Sequence, residues 1–254
     1  MTVTPCEGCR NADANAFSIP FTMAFQPIVD VTANKVWGYE ALVRGVAGES
    51  AYQVLSQVNE QNRYAFDQAC RVKAIELAGG HIGGTDAKLS INFMPNAVYE
   101  PRACIRATLA AAAKTHFDPH RLMFEFTENE RMDDVAHVSH IVSEYRRMGF
   151  TTALDDFGAG YAGLSLLAKF QTDLIKLDME LLRGLEASPV KQAIVRGLVG
   201  IAAELNITLL AEGIETEAEL MVLRQMGIRL FQGYYFARPQ LERFQTMHEM
   251  AAAA

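Results

Sequence analysis

Apolar residues recur along this chain in two alternating rhythms. Short runs rich in β-branched and aromatic residues, alternating with period two, end near Asp30, Arg44, Phe93, Thr127, Asp156, Asp178, Gly213 and Phe236 and read as strands. Most are followed by a helical pattern. Val135, Val138, Val142 and Tyr145 share one face, and Ile194, Leu198, Ile201 and Leu205 share another, at the three-and-four spacing of a helix packed on one side. Helix ends are marked by Ser188-Pro189 as an N-cap with proline in the first turn, by the capping box Thr216-Glu217-Ala218-Glu219, and by the stops Gly149 and Gly227. No Pro/Gly/Ser-rich linker divides the chain, so it reads as a short tail over residues 1–20 and one α/β domain over 21–254. About eight strand units in roughly 250 residues is the size of a TIM-type (βα)8 barrel, whose chemistry sits at the C-terminal ends of its strands. The segment from Leu241 to Ala254 reads as a terminal helix closing that barrel.

Composition narrows the class. Half of the 254 residues are apolar, which excludes disorder, and 30 acids against 23 bases give a net charge of −7. Lysines and arginines form no run longer than Arg146-Arg147, so duplex nucleic acid and anionic membranes find no electrostatic footprint. The longest uncharged stretch, Ala14 to Val29, is short for a membrane span and carries Pro20 and Pro27. The N-terminus lacks the pattern of a secretory signal, and the chain reads as cytoplasmic. Four cysteines in this length form no disulfide framework.

Charged residues fall where a barrel places its site: Glu40 and Arg44, Asn92, Glu125 with Glu128, Asp155 with Asp156, Lys176 with Asp178, and Glu212 with Glu215. In extended backbone Glu40, Leu42 and Arg44 share a face, as do Lys176 and Asp178. Any one acid reads as a solvated loop residue; the set does not. Two carboxylates about 4 Å apart repel by roughly 4 kcal/mol at an effective dielectric of 20, so their convergence requires protons or cations. Carboxylate and amide donors, with no histidine or cysteine at a strand end, favour Mg²⁺ or Mn²⁺ over zinc. Two such ions polarise a phosphoryl oxygen and activate a water. Lys176, flanked by Ile175 and Leu177, needs a charged partner or a function if it is buried.

Two other motifs have plainer readings. Gly158-Ala159-Gly160-Tyr161-Ala162-Gly163 fits a dinucleotide fingerprint, with Asp178 about 20 residues on. Two carboxylates directly before it would repel a pyrophosphate, so these read as loop glycines. Cys6-Glu7-Gly8-Cys9 lacks a second ligand pair and reads as an exposed tail, whereas Cys70 and Cys104 lie on helices and read as buried small residues.

The ordered motifs resemble the EAL family of cyclic di-GMP phosphodiesterases. They are Gln26-Pro27-Ile28 with Glu40-Ala41-Leu42-Val43-Arg44, Ile91-Asn92, Glu125-Phe126-Thr127-Glu128, Asp155-Asp156-Phe157-Gly158-Ala159-Gly160-Tyr161, Ile175-Lys176-Leu177-Asp178, Ala211-Glu212-Gly213-Ile214-Glu215-Thr216 and Gln232-Gly233-Tyr234-Tyr235-Phe236. The resemblance implies a modified (βα)8 barrel that hydrolyses cyclic di-GMP to the linear dinucleotide pGpG with two Mg²⁺ or Mn²⁺ ions. It implies Glu40, Asn92, Glu125 and Asp155 as ligands of one ion, Asp155 bridging to a second near Asp156 and Glu212, and Lys176 as the residue that positions or activates water. Gln26, Arg44 and Gln232 resemble groups that hold phosphate and guanine, and Leu42 and Pro239 resemble the lining of the base pocket. Asp178 and Glu215 are similar to outer acids of the substrate site that steady metals and lysine. Glu128 resembles the glutamate that anchors the loop after Asp155-Asp156, through which family members link dimerisation to activity. A homodimer and a regulatory partner protein are therefore expected. The alternative is a catalytically silent cyclic di-GMP receptor.

Overall fold

The computed structural model describes residues 19–98, 100–127, 135–160 and 163–253. Two long strands open it, β1 (Phe21–Asp30) and β2 (Lys35–Gly45), followed by α1 (Ala51–Leu55), α2 (Arg63–Ile82) and β3 (Lys88–Asn92). Next come α3 (Pro101–Cys104), α4 (Arg106–Thr115), β4 (Leu122–Thr127), α5 (Val135–Arg147), β5 (Thr151–Phe157) and α6 (Gly163–Leu167). The chain continues through β6 (Leu174–Leu177), α7 (Met179–Leu182), α8 (Pro189–Leu205), β7 (Thr208–Ala211), α9 (Glu217–Gln225), β8 (Leu230–Phe231), β9 (Gln240–Leu241) and α10 (Met247–Ala253).

Strands β2 to β8 pair in sequence order, and β1 pairs with both β8 and β2, closing an eight-stranded barrel; β9 adds to β1. Pairings from β2 to β8 are parallel, but β1 runs antiparallel to both neighbours. This departs from a regular (βα)8 succession: β1 and β2 are joined by a turn, and the Asp30 end of β1 lies at the opposite end of the barrel from the other strand ends. Gln26 therefore enters the site end from within β1, opposite Glu40 in the register.

Inside the barrel Ile28, Met123, Ala153, Leu174, Leu210 and Leu230 form a sealed apolar layer, with Trp37 against it. Side chains two residues apart share a face. One step toward the site, the same inward rows carry Gln26, Glu125, Asp155, Lys176, Glu212 and Gln232. The apolar layer is the floor on which the charged one stands.

Helices pack outside, and their caps match the sequence reading: the Ser188 side chain accepts from the Lys191 N–H, Thr216 and Glu219 form the capping box, and Gly149 and Gly227 take positive φ. Helix α10 packs Met250 and Met247 against Val29 and Val36 at the foot of the barrel. The face expected to pack on α8 is corrected. Its buried side is Val195 and Ala202, while Ile194, Ile201 and Leu205 are 49, 38 and 43 % exposed. The apolar stripe is broad enough to hold both sets, opposite Gln192, Arg196 and Glu204, so periodicity alone did not say which part of it meets the barrel. Among the described residues no helix is long and apolar enough to cross a membrane.

Candidate active site

Lys176 is the centre of the charged layer. It is 1 % exposed, and its Nζ lies 2.8 Å from Glu212, 3.0 Å from Glu125, 3.0 Å from Asp155 and 3.6 Å from Glu40. Burial works against the ammonium, but the four carboxylates outweigh it and hold Lys176 well above the ordinary amine range. One cation does not balance four acids. Burial, with Glu40 and Asp155 adding repulsion, pushes Glu125 up to about 8 despite Lys176 beside it. Burial likewise pushes Glu212 well above the carboxylate range, and burial with Asp155 alongside raises Asp156 to about 6.

Two groups of carboxylates approach closely enough to hold a cation each: Glu40, Glu125 and Asp155, and Asp155, Asp156 and Glu212, the ligating oxygens of each lying within 4.8 Å of one another. Asp155 belongs to both. Strand β5 makes this possible through a break in its register with β6 between Leu154 and Phe157, where Asp156 takes a left-handed φ of 55°. A bulge re-aims side chains, and here successive aspartates turn toward one centre instead of opposite faces.

Polar neighbours orient the acids. Asn92 Nδ2 donates to Glu40 Oε1 at 3.0 Å, which leaves the Asn92 amide oxygen as the group it can offer a cation. Gln232 Nε2 donates to Glu40 Oε2 at 2.7 Å and to Gln26 Oε1 at 3.0 Å, and Gln26 Nε2 donates to the Ala237 carbonyl at 3.1 Å. Glu125 Oε2 accepts from Lys176, but the buried Oε1 of Glu125 has no hydrogen-bond partner. An orphaned carboxylate oxygen in an over-acidic cluster of oxygen donors fits a hard divalent cation.

Two cavities flank the cluster. One of about 510 Å³ is lined by Gln26, Lys176, Asp178, Glu212, Glu215 and Gln232 among others. A second, of about 610 Å³, is walled by Met23, Leu55, Phe66, Phe93 and Met94, and both share Glu40, Leu42, Asp155 and Asp156. Asp178 caps α7 by accepting from the Glu180 N–H, and Glu215 pairs with Arg183 at 3.0 Å.

The structure thus brings together Gln26, Glu40, Leu42, Asn92, Glu125, Asp155, Asp156, Lys176, Asp178, Glu212, Glu215 and Gln232. It does not bring in Arg44, whose Nη1 donates to the Val43 carbonyl at 2.7 Å, and neither Arg44 nor Pro239 lines the two cavities. Glu128 lies outside the described residues, as do Cys6, Cys9, Tyr161 and Ala162. Sequence reasoning missed the buried pair Asp67–Arg71 under the larger cavity. It also missed Arg183, which holds the Glu212–Thr216 loop through the Gly213 carbonyl, Glu215 and Glu219.

The model of the EAL domain matches residues 15–239. The chain belongs to the EAL domain family. It is 33% identical over 235 residues to the cyclic di-GMP phosphodiesterase RocR of Pseudomonas aeruginosa, covering 88% of this chain and 58% of that protein. It is 30% identical over 218 residues to the blue light- and temperature-regulated antirepressor BluF of Escherichia coli, covering 86% of this chain and 54% of that protein. The chain spans little more than half the length of these curated relatives. The fold agrees with the crystal structure of a standalone versatile EAL protein from Vibrio cholerae O395 in its c-di-GMP-bound form, with a TM-score of 0.87 and 52% identity over 92% of this chain and 99% of that one. Klebsiella pneumoniae BlrP1 in a manganese/cy-diGMP complex at pH 6 gives a TM-score of 0.83 and 35% identity over 91% of this chain and 59% of that one.

Proposed function

We propose that this EAL domain is a metal-dependent phosphodiesterase that hydrolyses cyclic di-GMP to pGpG. The observation that carries the reading is Lys176 within 3.6 Å of four carboxylates, with Asp155 shared between two groups that each suit a cation. A phosphodiester is an anion, and this cluster repels anions until cations offset its charge. Glu40, Asn92, Glu125 and Asp155 would hold one Mg²⁺ or Mn²⁺, and Asp155, Asp156 and Glu212 a second. Bound there, such ions polarise a phosphoryl oxygen and activate water. Lys176, kept as an ammonium by its neighbours, donates a hydrogen bond that orients the attacking water and screens charge.

Cavities on both sides of the cluster suit a cyclic dinucleotide with a base on each side and one of its two phosphodiesters at the cluster. Gln26 and Gln232 offer amides to it, Leu42 and Pro239 apolar contacts, and Arg44 a guanidinium once it leaves the Val43 carbonyl. The assignment of 21–254 as the catalytic domain and 1–20 as a tail, a cytoplasmic site of action, a homodimer and a regulatory partner belong to the same proposal. The exposed row Val190, Ile194, Ile201 and Leu205 on α8 is a surface that a second copy would cover.

The test is incubation with cyclic di-GMP and Mg²⁺ or Mn²⁺, with EDTA as control, following pGpG by chromatography. Metal-dependent product is expected. Binding without cleavage would overturn the reading in favour of the silent receptor.

A further inference from the structure

Helix α2 carries Asp67 and Arg71 one turn apart, paired at 2.7 Å with side chains 1 and 0 % exposed. On a helix surface such a pair is ordinary. Here both charges are out of water, and a buried ion pair is commonly replaced by apolar residues with no loss of stability. Stability therefore does not explain the pair. Its contacts do: Asp67 Oδ1 accepts the backbone N–H of Met94 at 3.0 Å. Met94 lies two residues beyond Asn92, where the chain leaves β3, and the intervening Phe93 N–H donates to the Glu125 carbonyl at 3.0 Å. The turn is thus pinned on one side to β4 and on the other to α2. Arg71 in turn holds Asp67 in place, and its Nη1 reaches buried Thr108 on α4 at 3.4 Å.

We propose that Asp67, held by Arg71, is a positioning residue whose grip on the Met94 N–H fixes the turn that presents Asn92 to Glu40 and to the cation. The inference rests on the proposed role of Asn92 as a ligand. Its test reads Mn²⁺ affinity by calorimetry on the full chain, beside the thermal midpoint in EDTA. Asp67→Leu/Arg71→Met removes the acceptor together with both charges. Its Mn²⁺ affinity falls by about tenfold or more, the usual effect of losing a group that orients a ligand, while a cooperative thermal transition in EDTA shows that it folds. Asp67→Asn/Arg71→Met keeps a carbonyl oxygen for Met94 and binds Mn²⁺ within about threefold of the parent. Where the Leu/Met variant does not fold, Met94→Pro removes the donor instead and shows the same loss.

Asn92→Ala separates the two readings. If it weakens Mn²⁺ while Asp67→Leu/Arg71→Met, or Met94→Pro in its place, binds like the parent, the positioning role falls and Asn92 stands as a ligand. Equal weakening of the Leu/Met and Asn/Met variants also overturns it, because the retained acceptor then makes no difference. If Asn92→Ala itself binds like the parent, the ligand reading fails and the positioning role fails with it.

Discussion

Replacing Lys176 by methionine removes the buried ammonium from among four carboxylates and keeps most of the volume. At an effective dielectric of 20, a contact near 3 Å is worth about 5–6 kcal/mol of gross attraction, and Lys176 makes three such contacts between 2.8 and 3.0 Å and a fourth at 3.6 Å. Desolvation of the ammonium offsets much of this sum. Breaking a buried pair by removing one partner costs about 3–5 kcal/mol, which for a domain of this size lowers the thermal midpoint by roughly 6–20 °C.

That deficit has two properties a packing defect lacks. It grows from pH 5 to pH 8, because protons on Glu125 and Glu212 relieve the repulsion at the lower pH. It also shrinks in saturating Mn²⁺, since a bound cation stabilises the folded state by RT ln(1 + [Mn²⁺]/Kd) and the acids hold it more tightly without the ammonium. Calorimetric midpoints of parent and Lys176→Met in EDTA and in Mn²⁺, at both pH values, measure all of this. The variant should still bind cyclic di-GMP with Ca²⁺ present, while its turnover drops by about 10²–10³-fold, the scale of a lost hydrogen-bond donor at the reacting centre. Equal midpoints in EDTA, or a deficit indifferent to both pH and metal, would refute the electrostatic reasoning.

Glu40→Gln and Asp155→Asn should each reduce pGpG formation below about 1 % of the parent and weaken Mn²⁺ binding; full activity in either would remove that residue from the site. Glu125 is raised from 4.5 to about 8 in the folded state, so its favourable contribution is complete below pH 4.5 and is lost as pH rises through about 8; Asp156 acts in the same sense between 3.8 and about 6. The midpoint measured in EDTA should therefore fall across that range and flatten in Mn²⁺, and a rising profile would contradict the assignment. Ile194→Asp on α8, at a half-exposed position, should leave monomer stability within about 0.5 kcal/mol and shift the sedimentation of the proposed homodimer toward the monomer; sedimentation identical to the parent's would place the proposed contact elsewhere.

Much of the barrel was legible because parallel strands buried on both faces leave apolar runs that end abruptly in charge. The ends expected at Phe93, Thr127, Asp156, Asp178 and Gly213 fall within two residues of the observed ends of β3 to β7. Direction was not legible. Period two is the same read forwards or backwards, so nothing in Phe21–Asp30 distinguishes an antiparallel β1 from a parallel one. The consequence for the site is specific: Gln26 reaches it from mid-strand, and the Asp30 carboxylate instead accepts from Thr32 and Ala33 at the far end. The α8 face failed for a related reason. Ile194, Leu198, Ile201 and Leu205 satisfy the helical spacing, but so do Val195, Leu198 and Ala202, and spacing alone contains no term for which side meets the barrel.

Asp67 and Arg71 show how a buried functional pair hides and what exposes it. Read as charges four apart on a helix, they resemble a solvated surface pair. Placed instead in the register of their own helix, they fall among Tyr64, Phe66, Cys70, Ala74, Ile75, Ala78 and Ile82, all of which are buried. A charge inside an apolar register is the informative observation, because water is the cheap place for it and the sequence puts it elsewhere. Lys176 between Ile175 and Leu177 follows the same rule and stands among four carboxylates. Periodicity that locates the core therefore also locates its exceptions. In this chain Lys176 lies at the centre of the acid cluster, and Asp67 holds the turn that leads out of it.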